Sequence, residues 1–251
     1  MSDSPGPSRP PVGASPNPSA PGPRIGSLLL VLCVAAAMGY LALRSLRTDW
    51  ARAPARNLAD QAREDLERRG FRPLSGPLET LIRDPAYRPT PTQEHPLLGR
   101  PAPDFTLPDV DGKPWSLARE LKEGPVVLVF YYGYHCNHCV SQLFGLHKDL
   151  DRFQELGARV VAVSADPPEL TRERFRTYGP FAFPVLSDPG HAIAALYGTW
   201  TAGPKPGEEG DLQHGTFVID RQGRVVWANR GDSPFTENRT LLIETHRSEE
   251  R

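Results

Sequence analysis

Val126-Val-Leu-Val-Phe-Tyr-Tyr-Gly-Tyr-His-Cys-Asn-His-Cys139 is the stretch from which the rest of the chain can be read. Its first seven residues form a continuous apolar run of strand length, rich in β-branched and aromatic side chains, as a strand buried on both faces requires. A helix is expected from about Cys136 to Leu156, with Leu143, Leu146 and Leu150 on its inner side. The two cysteines therefore fall where a strand gives way to a helix. The free amide groups and dipole of a helix start stabilise negative charge there, which lowers the pKa of the first thiol. Since the thiolate is the nucleophile of disulfide exchange, Cys136 is the expected attacking group. Cys139, one turn along the same side, is the expected resolving group. Two buried, inert thiols are the contrary reading, and the strand, Cys-x-x-Cys, helix order within an α/β pattern argues against it.

Neighbouring side chains bear on that chemistry. A donor or cation at His138 favours the thiolate over the disulfide and so raises the reduction potential, to about -200 mV or higher. His135 adds to the same field, or both histidines are simply solvated residues at a helix start. Tyr132 and Tyr134, with Tyr131, line the cysteine pocket or pack at the sheet edge.

Working outward, Asp104–Leu107 reads as an extended stretch and Asp111-Gly112 as a hairpin turn. Arg159–Ser164 is a second buried strand. Helices are expected over 168–178 and 190–197, with a short strand at Phe183–Leu186 between them. Residues 216–220 and 224–228 flank the turn Arg221-Gln-Gly223, and a helix over 236–247 follows. This order predicts an α/β domain over 98–247, a mixed β-sheet with helices on both faces. The loop Ala202–Gly210 either gates the cysteines or is an uninvolved surface excursion.

Upstream, the chain changes character. Eight of its 28 prolines lie between Pro5 and Pro23, so residues 1–24 read as a disordered tail. Ile25–Leu43 carries no charge; as a helix it covers about 28 Å, the thickness of a bilayer's hydrocarbon. It is expected to be a single transmembrane helix, with a signal peptide cleaved near Ala35-Ala-Ala37 as the alternative. Residues 44–97 are expected to be a stem helix, with Leu58, Ala62 and Leu66 as a thin apolar stripe, followed by a Pro-rich linker. The arginines at 44, 47, 52, 56 and 63 would by the positive-inside rule keep the domain in the cytoplasm. A tether is more useful where soluble proteins diffuse away, and an extracytoplasmic domain is the expectation. A net charge of -1 gives no footprint for nucleic acid, and three cysteines are too few for a disulfide-stapled scaffold.

Residues 98–246 resemble the thioredoxin-fold superfamily, in particular its redoxin branch of AhpC/TSA, peroxiredoxin-like proteins. The resemblance is carried by Gly99–Leu107, Val126–Cys139, Val160–Pro167, Phe183–Asp188 and Gly215–Gly223. It implies a thioredoxin-like fold and a thiol-disulfide oxidoreductase or thiol peroxidase working without an organic cofactor. The implied partners are protein thiols or disulfides, or a thioredoxin-like reductant. Several positions depart from the relatives' patterns. Where peroxiredoxins carry a proline and a threonine ahead of the peroxidatic cysteine, this chain has Tyr132 and Cys136. Their active-site arginine is replaced by His214. Phe130 stands where thioredoxins place a buried acid, and no proline adjoins Thr216. Gly133-Tyr-His-Cys136 is also similar to the opening of the Sco-type copper chaperones. That similarity implies a copper site made of Cys136, Cys139 and His214, two thiolates and an imidazole being suited to copper. No second Cys/His pair offers a closed zinc set.

Overall fold

Six consecutive apolar residues cannot find partners on one side of a sheet only, and the strand they form, β3 (Val126–Tyr131), is buried along its whole length. The computed structural model describes residues 38, 58–133, 137–205, 208 and 210–250. Within them β3 is the middle of a five-stranded sheet ordered β5-β4-β3-β8-β9. It runs parallel to β4 (Arg159–Ser164), from Val126 opposite Arg159 to Tyr131 opposite Ser164, and β4 is parallel to β5 (Val185–Ser187). On its other edge it is antiparallel to β8 (His214–Ile219), which turns through Gly223 into β9 (Val225–Gly231). Two short antiparallel pairs complete the strands: β1 (Thr106–Pro108) with β2 (Pro114–Ser116), and β6 (Trp200–Thr201) with β7 (Asp211–Leu212). The mixed α/β, thioredoxin-like architecture expected from the sequence is present.

Alternation along β3 divides the core in two. Val127, Val129 and Tyr131 face one layer; Val126, Leu128 and Phe130 face the other. The second layer is aromatic. Phe130, Tyr197 and Phe217 meet at centroid distances of 5.1–6.0 Å, and the Tyr197 hydroxyl donates to the Pro103 carbonyl at 2.8 Å. The first layer holds four helices: α1 (Leu58–Arg68), α4 (Asn137–Lys148), α5 (Leu150–Glu155) and α8 (Asn238–Glu249). The short α2 (Leu78–Arg83) packs on α8. α3 (Leu117–Glu120), α6 (Pro168–Tyr178) and α7 (Ala192–Leu196) connect the strands.

Two expectations need correcting. The segment foreseen as a stem helix and linker is, from Leu58 onward, part of the domain. α1 buries Ala59, Ala62 and Leu66 against α4, approaching so closely that a Cβ on Gly145 would lie 3.2 Å from Phe71 and 3.5 Å from Leu66. Beyond it, Trp227 donates its indole N–H to the Thr90 carbonyl, and the Gln93 amide donates to Ala228 on β9. Prolines here suit a chain that lies along a surface without continuing a sheet. The helix expected over 136–156 also breaks, at Asp149. That residue's buried carboxylate accepts the Leu74 amide at 2.8 Å and the Asn238 side-chain amide at 2.8 Å, so it ties the wrapping segment and α8 to the break.

Among the described residues no helix is long and apolar enough to cross a membrane. The expected span over 25–43 lies, apart from Met38, outside those residues, as does the expected tail over 1–24.

The docking of α1 has a direct test. Leu66→Ala is expected to lower the free energy of urea unfolding by about 2–4 kcal/mol, as for a buried leucine. A helix standing free of the domain would give a change within about 0.5 kcal/mol.

Candidate active site

The three parallel strands deliver their C-terminal ends to one edge of the sheet, where the cysteine motif begins. Just past β3 the backbone of Gly133 takes a φ of 117°, and a Cβ there would stand 2.6–2.8 Å from the carboxylate of Asp166. Glycine is thus required twice, for its conformation and for the space. Asp166, buried at the end of β4, was not singled out from the sequence. The signal was available, because parallel pairing of two buried strands brings the residues that follow them together. Tyr134, His135 and Cys136 lie outside the described residues.

Cys139 lies in the first turn of α4, is 0% exposed and carries a disulfide. His138 beside it is exposed. Across from them, β8 begins with His214, 2% exposed, whose ring lies 4.9 Å from Tyr132 and 6.3 Å from His138. One donor atom each from His138, Cys139 and His214 falls within 4.8 Å of the others. The fold therefore gathers four residues proposed from sequence: Tyr132, His138, Cys139 and His214.

Both ring nitrogens of His214 are buried without a hydrogen-bond partner. Burial pushes its pKa down, the positive charges of His138 and Arg69 push further, and it falls to about 3. At neutral pH the ring is uncharged. It cannot act as the cation that an arginine would be at this place. The Tyr132 hydroxyl moves the other way, raised first by burial and then by the carboxylates of Asp211 and Asp232, so it too stays neutral. Asp211 is in β7, so the base of the 202–210 loop is electrostatically coupled to the site.

Gln142, one turn beyond Cys139, is fully buried. Its side-chain amide donates to Thr216 Oγ1 at 2.8 Å, pinning α4 to β8, while its Oε1 has no partner. Sequence inspection missed it, since a glutamine in a helix carries no mark of burial. Next on β8, a Cβ on Gly215 would sit 2.3 Å from Thr199. No cis peptide bond occurs among the described residues, in keeping with a non-proline residue before Thr216.

A mixed sheet with a disulfide-bonded cysteine in the first turn of the helix at its C-terminal edge defines a thioredoxin-like redox protein. Residues 98–228 match the family model described as AhpC/TSA, and the chain belongs to that family. It is 34% identical over 132 residues to a protein of Mycobacterium tuberculosis named as a peroxiredoxin, covering 52% of this chain and 82% of that one. The thiol-disulfide oxidoreductase ResA of Bacillus cereus is 30% identical over 129 residues, 51% of this chain and 67% of its own. Among solved structures, the peroxidoxin BcpB of Mycobacterium tuberculosis superposes with a TM-score of 0.55 at 28% identity, over 61% of this chain and 98% of that one. The names of these relatives all denote oxidoreductases, and that is the enzyme class of this chain.

His214 gives the site a pH signature. An unfolded chain takes up the imidazole proton near 6.5, the folded one only near 3, so the contribution to stability is complete above about 6.5 and is lost as pH falls toward 3. Between pH 7 and pH 5 the loss from this group is expected to be about 2 kcal/mol. Urea unfolding at the two pH values should show that drop in the wild type and lack it in His214→Gln. An equal drop in both proteins would assign the pH dependence to other groups.

Proposed function

We propose that the protein is a membrane-anchored thiol-disulfide oxidoreductase in which Cys136 and Cys139 form the exchanging pair. The observation that carries this reading is the disulfide at a fully buried Cys139 at the start of α4. A sulfur with no exposure cannot meet a protein disulfide from solution, so the first attack falls to Cys136. In the reducing direction, the Cys136 thiolate attacks one sulfur of the substrate disulfide and expels the other as a thiolate. The Cys139 thiolate then attacks Cys136 in the mixed disulfide, closing the intramolecular bond and releasing the second substrate thiolate. Two electrons pass from the dithiol to the substrate, and a thioredoxin-like reductant restores them. Neutral His214 and Tyr132 leave the pocket without a competing charge, and His138, with His135, favours the ionised thiol.

Peroxide reduction, which the peroxiredoxin relatives suggest, is the less favoured use of the site. Tyr132, Cys136 and His214 occupy the positions of three peroxide-orienting groups, and a neutral His214 supplies no positive charge. A copper-binding reading has one observation behind it: the donor atoms of His138, Cys139 and His214 lie within 4.8 Å of one another, with both His214 nitrogens unpartnered. It requires the disulfide to be reduced first. In titrations of the reduced protein with copper(I), equal affinity in wild type and His214→Ala would count against it.

The tether belongs to the same proposal and rests on the uncharged run at 25–43. Because α1 packs on the domain, the tether is the chain before Leu58. An extracytoplasmic position, where the pair would meet disulfides of exported proteins, completes the reading.

Reduction of a small protein disulfide, such as that of insulin by dithiothreitol, is expected to be accelerated by the wild type and by neither Cys136→Ser nor Cys139→Ser. Stopped-flow mixing of the reduced protein with hydrogen peroxide is expected to give the rate of an ordinary free thiol. A much faster rate would turn the assignment to peroxidase.

A further inference from the structure

We propose that α1, which precedes the family-matched residues 98–228, is part of the redox site, and that Arg69 and Asp65 set the potential of the cysteine pair through Ser141. The inference rests on the dithiol reading above. Ser141 is two residues beyond Cys139, in the same turn of α4, and is fully buried. Its hydroxyl lies 3.0 Å from the Asp65 carboxylate and 2.5 Å from the His138 carbonyl, so the turn that carries both motif residues is tied to α1. Asp65 is held in turn by Arg69, Nε to Oδ2 at 2.7 Å, and by Arg68 at 3.5 Å.

Asp65 is half-buried, whereas Arg69 is exposed as a residue. The side chains of Asp65 and Arg69 are 13% and 29% exposed, and they sit against an apolar helix contact where solvent screening is reduced. Burial works to raise the Asp65 pKa, but the bonds from Arg69 and Ser141, with the charges of Arg69 and Arg68, outweigh it and hold the group ionised. The charge of Arg69 also reaches His214, where it adds to the depression of the imidazole. A donor atom of His214 lies within 4.8 Å of the Cys139 sulfur. Through Asp65 and Ser141, Arg69 is linked to the turn of α4 that carries Cys139.

Position 214, where the resemblance implies an arginine, holds a histidine that stays neutral. Arg69, the residue after α1, is a permanent cation that lies outside the family-matched residues. Asp65 in α1 and Arg69 just after it are positioning residues: they act on the cysteine turn through Ser141.

The two charges make opposite predictions, which a structural role does not. Positive charge stabilises thiolate and favours the reduced pair; negative charge favours the disulfide. In the full chain, equilibrated with glutathione redox buffers at pH 7, Arg69→Gln is expected to shift the exchange constant toward the disulfide by about three- to tenfold. For a two-electron couple this corresponds to roughly 15–30 mV. Asp65→Asn is expected to shift it toward the dithiol by a similar factor, and Arg69→Lys to stay near wild type. Shifts of one sign in both charge-removing variants would mark simple loosening of α1 and overturn the proposal, as would potentials that do not move. A wild-type protein with no exchangeable disulfide would overturn the dithiol reading along with this one.

Discussion

β3 has no free side. Its two faces are covered by separate apolar layers and its two edges are bonded to β4 and β8, so its end point is fixed in space by the packing of the entire domain. The chain leaving it has to turn at Gly133, because the Asp166 carboxylate occupies the space where any side chain would start. The position of Cys139 follows from that turn. With Gln142 bonded to Thr216 and Ser141 to Asp65, the first turns of α4 are held from two directions. The exchange proposed above calls for such a frame, since an unsupported helix start would move away from its partner sulfur when the bond is cut.

Burial of His214 shows what the frame costs and what it produces. A two-nitrogen ring without partners is an expensive group to place at a strand start, because each unpaired polar atom loses its water. The consequence is an imidazole that stays neutral across the physiological range. A neutral imidazole adds no charge of its own beside the Cys139 sulfur.

The sheet was legible from sequence because buried strands announce themselves locally. Arg159–Ser164 was expected and found, and α6 occupies the expected 168–178. What escaped was everything decided by contacts across long separations. Asp149 breaks the helix through partners 75 and 89 residues away. The segment after α1 looked like a linker because proline-rich composition reports only that a stretch is neither helix nor central strand, and it is silent on whether its backbone finds a surface to bond. The short β6–β7 pair is too brief for any period to show. At the site, cysteine, histidine and tyrosine were recognisable by chemistry. Gln142 and Asp166 acquire their places from burial, and Asp65 from a contact across 76 residues of chain, neither of which a residue type encodes.

The match to the AhpC/TSA family covers residues 98–228, yet elements beyond both ends of it bond to α4 and to the break that follows it. Asn238, in α8, anchors the break after α4, and α1 supplies the charged pair on the other side. A site whose central residues belong to a widespread fold can have its energetics adjusted by appended elements that leave the central strands untouched. Substituting within β3 or β8 disturbs a core in which every position is packed on both sides. A charge carried on or beside a helix laid over α4 can change while the packing of β3 and β8 stays as it is. An appended helix of this kind is therefore a place where charge can be changed at less cost in packing than within β3 or β8.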